Sequence, residues 1–72
     1  MHALRPTTFF EVLDAPAQTQ IRVGADIYCK DAPRAIYPWR RLGTRQWIGS
    51  QLLWERWRKA AEGEHNDAAT GE

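Results

Sequence analysis

The chain has little of what catalytic, metal-binding or membrane-spanning proteins are built from. Its 72 residues include one cysteine, Cys29, and two histidines, His2 and His65, near opposite ends. One cysteine excludes an internal disulfide, and these three side chains are too few and too far apart for a tetrahedral metal site. No apolar run exceeds three residues, so we predict no signal peptide, no membrane span and a cytoplasmic location.

Groups suited to catalysis are equally scarce. Cys29 continues the apolar side of an alternating stretch, which predicts a buried and unreactive thiol. The five glycines are scattered and form no phosphate-binding loop. We therefore expect a protein that is not an enzyme and has no catalytic residues, cofactor or metal.

Tryptophan and arginine, by contrast, are abundant and lie close together. All four tryptophans fall between residues 39 and 57, and eight of the ten basic residues are arginine. Residues 34–59 carry a net charge of +6, between a segment of −1 (1–33) and one of −4 (60–72). This division favours a basic binding surface followed by an acidic tail, although a solvated helix face has the same pattern.

The N-terminal half has the composition of β-strands. Residues 20–29 alternate strictly between apolar and polar, which predicts one half-buried strand with Ile27 in the core. Gly24 within it marks either a bulge or a close backbone approach. Residues 7–13 are rich in β-branched and aromatic side chains and are predicted to pair with it. The polar segment 14–19 then forms the hairpin loop.

The C-terminal half is predicted to end in a helix. Two prolines make residues 30–38 an irregular connector, and residues 39–49 form either a short strand pair turning at Gly43 or an early helix. Ser50 is the predicted N-cap of a helix over 51–62 that ends at Gly63. The result is a single α+β domain, residues 1–63, in which this helix covers a β-hairpin or three short strands, followed by a disordered acidic tail, residues 64–72.

Few of the tryptophans fit inside so small a core. Trp57 aligns with Leu53 and Ala60 at helical spacing and is predicted to be structural. At least one other tryptophan is then exposed, and tryptophan and arginine are the residues most enriched at binding hot spots. The predicted partner-binding residues are Trp39, Arg40, Arg41, Arg45, Trp47, Trp54 and Arg58.

Two kinds of partner remain open. A regulator docking on a protein machine would use tryptophans as anchors and arginines for carboxylates. A single-stranded nucleic-acid-binding module would stack bases on a tryptophan, but the near-neutral net charge and the acidic tail disfavour it. A strand edge of the hairpin offers a further surface for a partner segment.

The stretches Trp39-Arg40-Arg41 and Trp54-Glu55-Arg56-Trp57-Arg58, in so short a chain, resemble the small RNA-polymerase-binding anti-termination proteins of lytic bacteriophages. The resemblance implies binding to the host bacterial RNA polymerase near the RNA exit channel, at the β′ N-terminal region and the β flap. It also implies inhibition of initiation and suppression of termination, with host Nus factors as further partners, in the host cytoplasm.

Overall fold

One antiparallel sheet packed by helices forms the fold, in agreement with the predicted α+β class. The computed structural model describes the backbone of residues 3–70 and the side chains of residues 3–63. The sheet has four strands where a hairpin or three strands were predicted: β1 Gln20–Val23, β2 Asp26–Lys30, β3 Trp39–Arg41 and β4 Trp47–Ile48, in that order. The helices are α1 Phe9–Leu13 and α2 Ser50–Thr70.

Residues 20–29 form a hairpin, so the prediction of one strand is wrong. Val23 pairs with Asp26, and Gly24 opens the two-residue turn between them with a φ of 61°. Glycine at this position is typical of type II′ turns, whose twist matches the strands. Gly24 therefore makes a turn, where the sequence predicted a bulge or a close backbone approach.

The turn also reverses which side chains face the core. Cross-strand partners share a face, and the two-residue turn pairs Ile21 with Tyr28. Tyr28 therefore joins Ile21 on the inner face, and its neighbour Ile27 lies on the outer face. Tyr28 is 2% exposed and Ile27 is 37% exposed. The prediction that Ile27 is a core residue is therefore wrong.

Residues 7–13 hold a helix where a strand was predicted. Thr8 is the N-cap of α1, and its hydroxyl accepts from the backbone N–H of Glu11. The α1 residues therefore do not pair with β1, and residues 14–19 connect a helix to a strand. Lys30 closes the other end of α1, where its Nζ donates to the carbonyls of Leu13 (2.8 Å) and Ala15 (2.6 Å).

The remaining elements follow the sequence more closely. Between the two structures considered for residues 39–49, the chain adopts the strand pair, and Gly43 in its turn has a φ of 82°. The connector before it is irregular, as predicted. Ser50 is the first residue of α2 rather than its cap, because the first helical bond runs from Leu53 N–H to the carbonyl of Gly49.

Helix α2 is longer than predicted. It passes Gly63 and continues to Thr70, so Gly63 is not its C-cap. The helical backbone thus extends through residues 64–70, for which the sequence predicts a disordered tail, and residues 71 and 72 lie outside the described residues. No helix in the described part of the chain combines the length and apolarity needed to cross a membrane.

The core lies between the inner face of the sheet and the two helices. Across the sheet, the cross-strand pairs place Ile21, Tyr28, Trp39 and Ile48 on this face, and Val12 and Leu53 meet them from α1 and α2. Each of these side chains is at most 4% exposed. On the opposite face of the sheet, Ile27 and Trp47 are 37% and 40% exposed.

Candidate docking surface

The seven predicted partner-binding residues do not form one surface. Strand alternation separates Trp39 and Arg41 from Arg40 between them, and Trp54 and Arg58 lie on α2. Arg45 is exposed in the turn between β3 and β4. Two pairs of them are direct neighbours: Arg40 and Trp47 are Cα partners in the β3–β4 ladder on the outer face, and Arg58 lies against the Trp54 ring on α2.

Trp39 is the centre of the core and does not reach the surface. Its side chain is fully buried, its indole N–H donates to Ser50 Oγ at 3.1 Å, and the Lys30 ammonium lies 5.7 Å from its ring centroid. A residue with no exposed area cannot touch a partner of the folded chain. The assignment of Trp39 to the binding surface is therefore corrected, and Trp39 takes the central place that the sequence predicted for Trp57.

Trp54 and Arg58 belong to a stack along α2. The rings of Trp54 and Trp57 are stacked with centroids 5.8 Å apart, and the Arg58 guanidinium lies 5.9 Å from the Trp54 centroid. Both tryptophans are partly buried and pack against the core, so the structural role predicted for Trp57 extends to Trp54. Arg58 keeps an exposed side chain 3.9 Å from Glu62.

Arg40 is held in a polar cluster on the outer face. Its Nε donates to Asp31 Oδ2 at 2.7 Å, while Asp31 Oδ1 accepts from Gln18 Nε2 at 3.0 Å and lies 3.3 Å from the Cys29 Sγ. The bond from Arg40, with smaller contributions from Cys29 and Gln18, lowers the pKa of Asp31. The carboxylate therefore stays charged and fixes the direction of the Arg40 side chain.

The same cluster makes Cys29 unreactive. The thiol lies on the outer face, yet it is only 4% exposed beneath its polar neighbours. Burial raises the pKa of Cys29, and the hydrogen bond and negative charge of Asp31 raise it further. Because the thiolate is the reactive form, this environment offers no nucleophile.

The other two arginines lie at the turn end of the β3–β4 hairpin. Arg41 binds Asp26 through Nη2 at 3.0 Å and Gln46 through Nη1 at 3.3 Å. Arg45 has no ion pair with any residue whose side chain is described. Of the predicted basic residues on the sheet, Arg45 therefore has the guanidinium most available to a partner.

An apolar patch lies beside Arg40 and includes residues that the sequence reading missed. Ile36 is 86% exposed, Tyr37 59% and Trp47 40%, and together with Ala32 and Ala35 they line one shallow depression. We call these five residues the Trp47 face. The missed signal was an Ala-Ile-Tyr run between two prolines. The prolines keep this run out of helices and strands, so its apolar side chains remain on the surface.

The loop that carries this face is ordered by its own hydrogen bonds. The Ala32 N–H donates to the carbonyl of Pro38 at 3.2 Å, and the Ala35 N–H donates to the carbonyl of Ala32 at 3.0 Å. Pro38 is buried beneath the loop. Because these hydrogen bonds fix the loop backbone, the apolar side chains remain exposed in a defined arrangement. A partner therefore binds a preorganised surface.

Within residues 3–63, no group of three or more His, Cys, Asp or Glu side chains is placed to hold a metal ion. Comparison with known proteins adds no relative: no protein family, no curated protein and no solved structure matches the chain. The arrangement of residues on the surface is therefore the only guide to function beside the resemblance noted above.

Proposed function

We propose that this chain is a non-catalytic regulator that docks on a larger protein machine through the Trp47 face. The observation that carries the proposal is the joint exposure of Ile36, Tyr37 and Trp47 on one ordered depression. Exposed apolar patches that include aromatic residues are typical of binding sites, and they lower solubility when no partner covers them.

The energetics of this face suit a protein partner. Burying apolar surface gains roughly 25 cal/mol per Å², so covering an isoleucine, a tyrosine and a tryptophan supplies several kcal/mol before the costs of association. Arg45 is exposed in the β3–β4 turn and has no ion pair among the described side chains, so it can add directional bonds to a carboxylate at the rim. The combination of an apolar centre and a charged rim is that of a protein–protein interface.

The identity of the machine comes from the resemblance. We propose bacterial RNA polymerase, contacted at the β′ N-terminal region and the β flap near the RNA exit channel, in the cytoplasm of a phage-infected host. A domain wedged there displaces the sigma region that reads the −35 element, which inhibits initiation. By narrowing the exit channel it also hinders the RNA hairpin that termination needs, and host Nus factors are candidate additional partners.

Single-stranded nucleic acid is the second candidate. The pairing of Trp47 with Arg40 supports it, because a base can stack on an indole while a guanidinium holds its phosphate. Against it, the guanidinium groups of Arg40 and Arg41 already form ion pairs with Asp31 and Asp26. A protein partner therefore remains the stronger proposal.

A pull-down from bacterial lysate treated with nuclease separates the two. The bait is the full chain, and the matched control is the Trp47→Ala variant, whose core is untouched. Recovery of RNA polymerase subunits with the wild type and their loss with the variant supports the proposal. Absence of polymerase, together with binding that disappears on nuclease treatment, favours the nucleic-acid module.

A further inference from the structure

A second cleft lies on the far side of the sheet from β4, along the edge of β1. It has a volume of about 410 Å³ and is separate from the Trp47 face. One wall is the N-terminal segment 3–5, the other is β1 near its turn, and α2 forms the floor. The lining residues are Ala3, Leu4, Arg5, Arg22, Gly24, Trp57, Ala60 and Ala61.

The N-terminal segment pairs with only part of the free edge of β1. Ala3 forms a parallel bridge with Gln20, and the Leu4 N–H donates to the Gln20 carbonyl at 2.6 Å. Gln20 thus has its carbonyl on the outer edge of β1. Because backbone groups alternate between the two edges of a strand, the N–H and C=O of Arg22 also point away from β2, towards the open edge of the sheet.

Pairing on the other side of the hairpin gives the same orientation. The Lys30 N–H donates to the Thr19 carbonyl, which makes that pair a hydrogen-bonded one, and the Ile27 carbonyl accepts from Leu42, the residue after β3. By alternation, Arg22 and its partner Ile27 both direct their backbone groups away from each other. Among the backbone hydrogen bonds of turns, loops and caps in residues 3–70, none involves Arg22, so its N–H and C=O are free at this edge.

A proline explains why the N-terminal segment stops pairing here. Continuing the parallel ladder from Ala3 would require the N–H of residue 6 to donate to the Arg22 carbonyl. Residue 6 is Pro6, which has no N–H and is buried. Pro6 thus cannot satisfy the Arg22 carbonyl, and the cleft lies where the segment departs from β1 after Leu4.

The side chains around this open edge define what fits it. Arg5 and Arg22 are exposed, and neither forms an ion pair with a side chain of residues 3–63. The Arg22 Nε donates to the Gly24 carbonyl at 3.1 Å, which holds this guanidinium beside the turn. Trp57, with the small side chains of Ala60 and Ala61, gives the floor an apolar surface with room above it.

We infer that this cleft binds an extended acidic segment of a partner protein, which adds to β1 as a further strand at Arg22. The free N–H and C=O of Arg22 require a ligand that has both a donor and an acceptor in its backbone, which is a peptide. Alternate side chains of that peptide point to the apolar floor, and carboxylates reach Arg5 and Arg22 at the mouth.

The test uses the full chain labelled with ¹⁵N and a short capped peptide of alternating glutamate and valine. Titration should shift the amide signals of Arg22 and Gly24 and the indole N–H of Trp57, and leave the indole of Trp47 in place. A peptide with lysine in place of glutamate should bind about fivefold more weakly, because its charges repel the two arginines. N-methylation of all the peptide's backbone amides should weaken binding about tenfold, because it removes the backbone donors.

Two variants locate the effect. Arg22→Glu should weaken binding of the glutamate peptide by about fivefold. Arg34→Glu, which replaces an exposed arginine that does not line the cleft, should leave the affinity unchanged. Equal binding of acidic and basic peptides, or shifts at Trp47 in place of Trp57, overturns the inference. So does the absence of any shift up to the peptide's solubility limit. Shifts at the cleft with oligothymidine but not with peptide identify a nucleic-acid site and overturn it too.

Discussion

Trp39 donates its indole N–H to the hydroxyl of Ser50 at 3.1 Å, and this bond joins the middle of the sheet to the first residue of α2. The Trp39 ring is fully buried and Ser50 is 9% exposed. Every buried side-chain nitrogen and oxygen in the described residues has a hydrogen-bond partner, and here the two partners satisfy each other. The contact thus fixes where α2 starts relative to the sheet.

Substitutions at this pair should be strongly coupled. Ser50→Ala leaves a buried indole N–H without a partner and should cost about 1–3 kcal/mol of unfolding free energy. Trp39→Phe removes the donor and part of the ring, and the double variant should lose less than the sum of the two single losses. Urea denaturation of the four proteins measures this coupling. Additive losses would show that the bond contributes no specific stabilisation.

The two isoleucines of the first hairpin give a matched test of the fold. Ile21 is fully buried on the inner face, and Ile27 is 37% exposed on the outer face. Ile21→Ala should lower the unfolding free energy by about 2–5 kcal/mol, and Ile27→Ala by less than about 1 kcal/mol. Thermal unfolding followed by circular dichroism checks both. A larger effect at Ile27 would support one long strand over residues 20–29 and contradict the hairpin.

Asp31 should make stability depend on pH in the acid range. Its pKa is lowered below the ordinary 3.8 chiefly by the bond from Arg40, so the folded state prefers the charged carboxylate. The resulting stabilisation is present above pH 3.8 and is lost as the pH falls through the folded-state pKa. The wild type should therefore lose more stability on acidification than Asp31→Asn. If the unfolding free energies of the two proteins fall by the same amount on acidification, this linkage is refuted.

The three arginines of the β3–β4 hairpin should matter more for binding than for folding. Arg40 and Arg41 form partly exposed ion pairs, each worth no more than about 1 kcal/mol, and Arg45 has no ion pair among the described side chains. Replacing all three with alanine should preserve a cooperative thermal transition and weaken partner binding. Unchanged affinity would move the interface away from this hairpin, towards the β1 edge.

The sequence predicted the C-terminal half better than the N-terminal half, for a physical reason. The β3–β4 turn is marked by a glycine between two short runs, and α2 has a regular apolar stripe, so local pattern and structure agree. In residues 20–29 the alternation continues through a two-residue turn, and period alone cannot reveal that the chain has reversed. Only Gly24, with its positive φ, marks the reversal.

Residues 7–13 show a different conflict. Their β-branched and aromatic side chains favour a strand, but Thr8 and Glu11 stand at the spacing of a helix capping box. In the structure the Thr8 hydroxyl accepts from the Glu11 N–H, and Lys30 caps the other end from a distant strand. The first signal is present in the local sequence, whereas the second depends on tertiary structure and could not be predicted from it.

The candidate site could be predicted in composition but not in position. The tryptophan–arginine cluster indicated a binding surface, and Trp47 is exposed as the small core requires. Which tryptophan is buried depends on strand register, and register places Trp39 opposite Lys30 and Ile48 on the inner face. Ile36 and Tyr37 were missed because a connector between prolines carries no periodic signal.

Affinity for purified bacterial RNA polymerase, measured by biolayer interferometry with the immobilised chain, tests the central proposal most directly. Trp47→Ala should weaken binding at least tenfold with its thermal transition retained, as expected for a hot-spot tryptophan. Leu52→Ala, which truncates an equally exposed side chain (42%) on α2, should bind as the wild type does. No binding of polymerase by the wild type, or equal affinity of Trp47→Ala and wild type, would contradict the account.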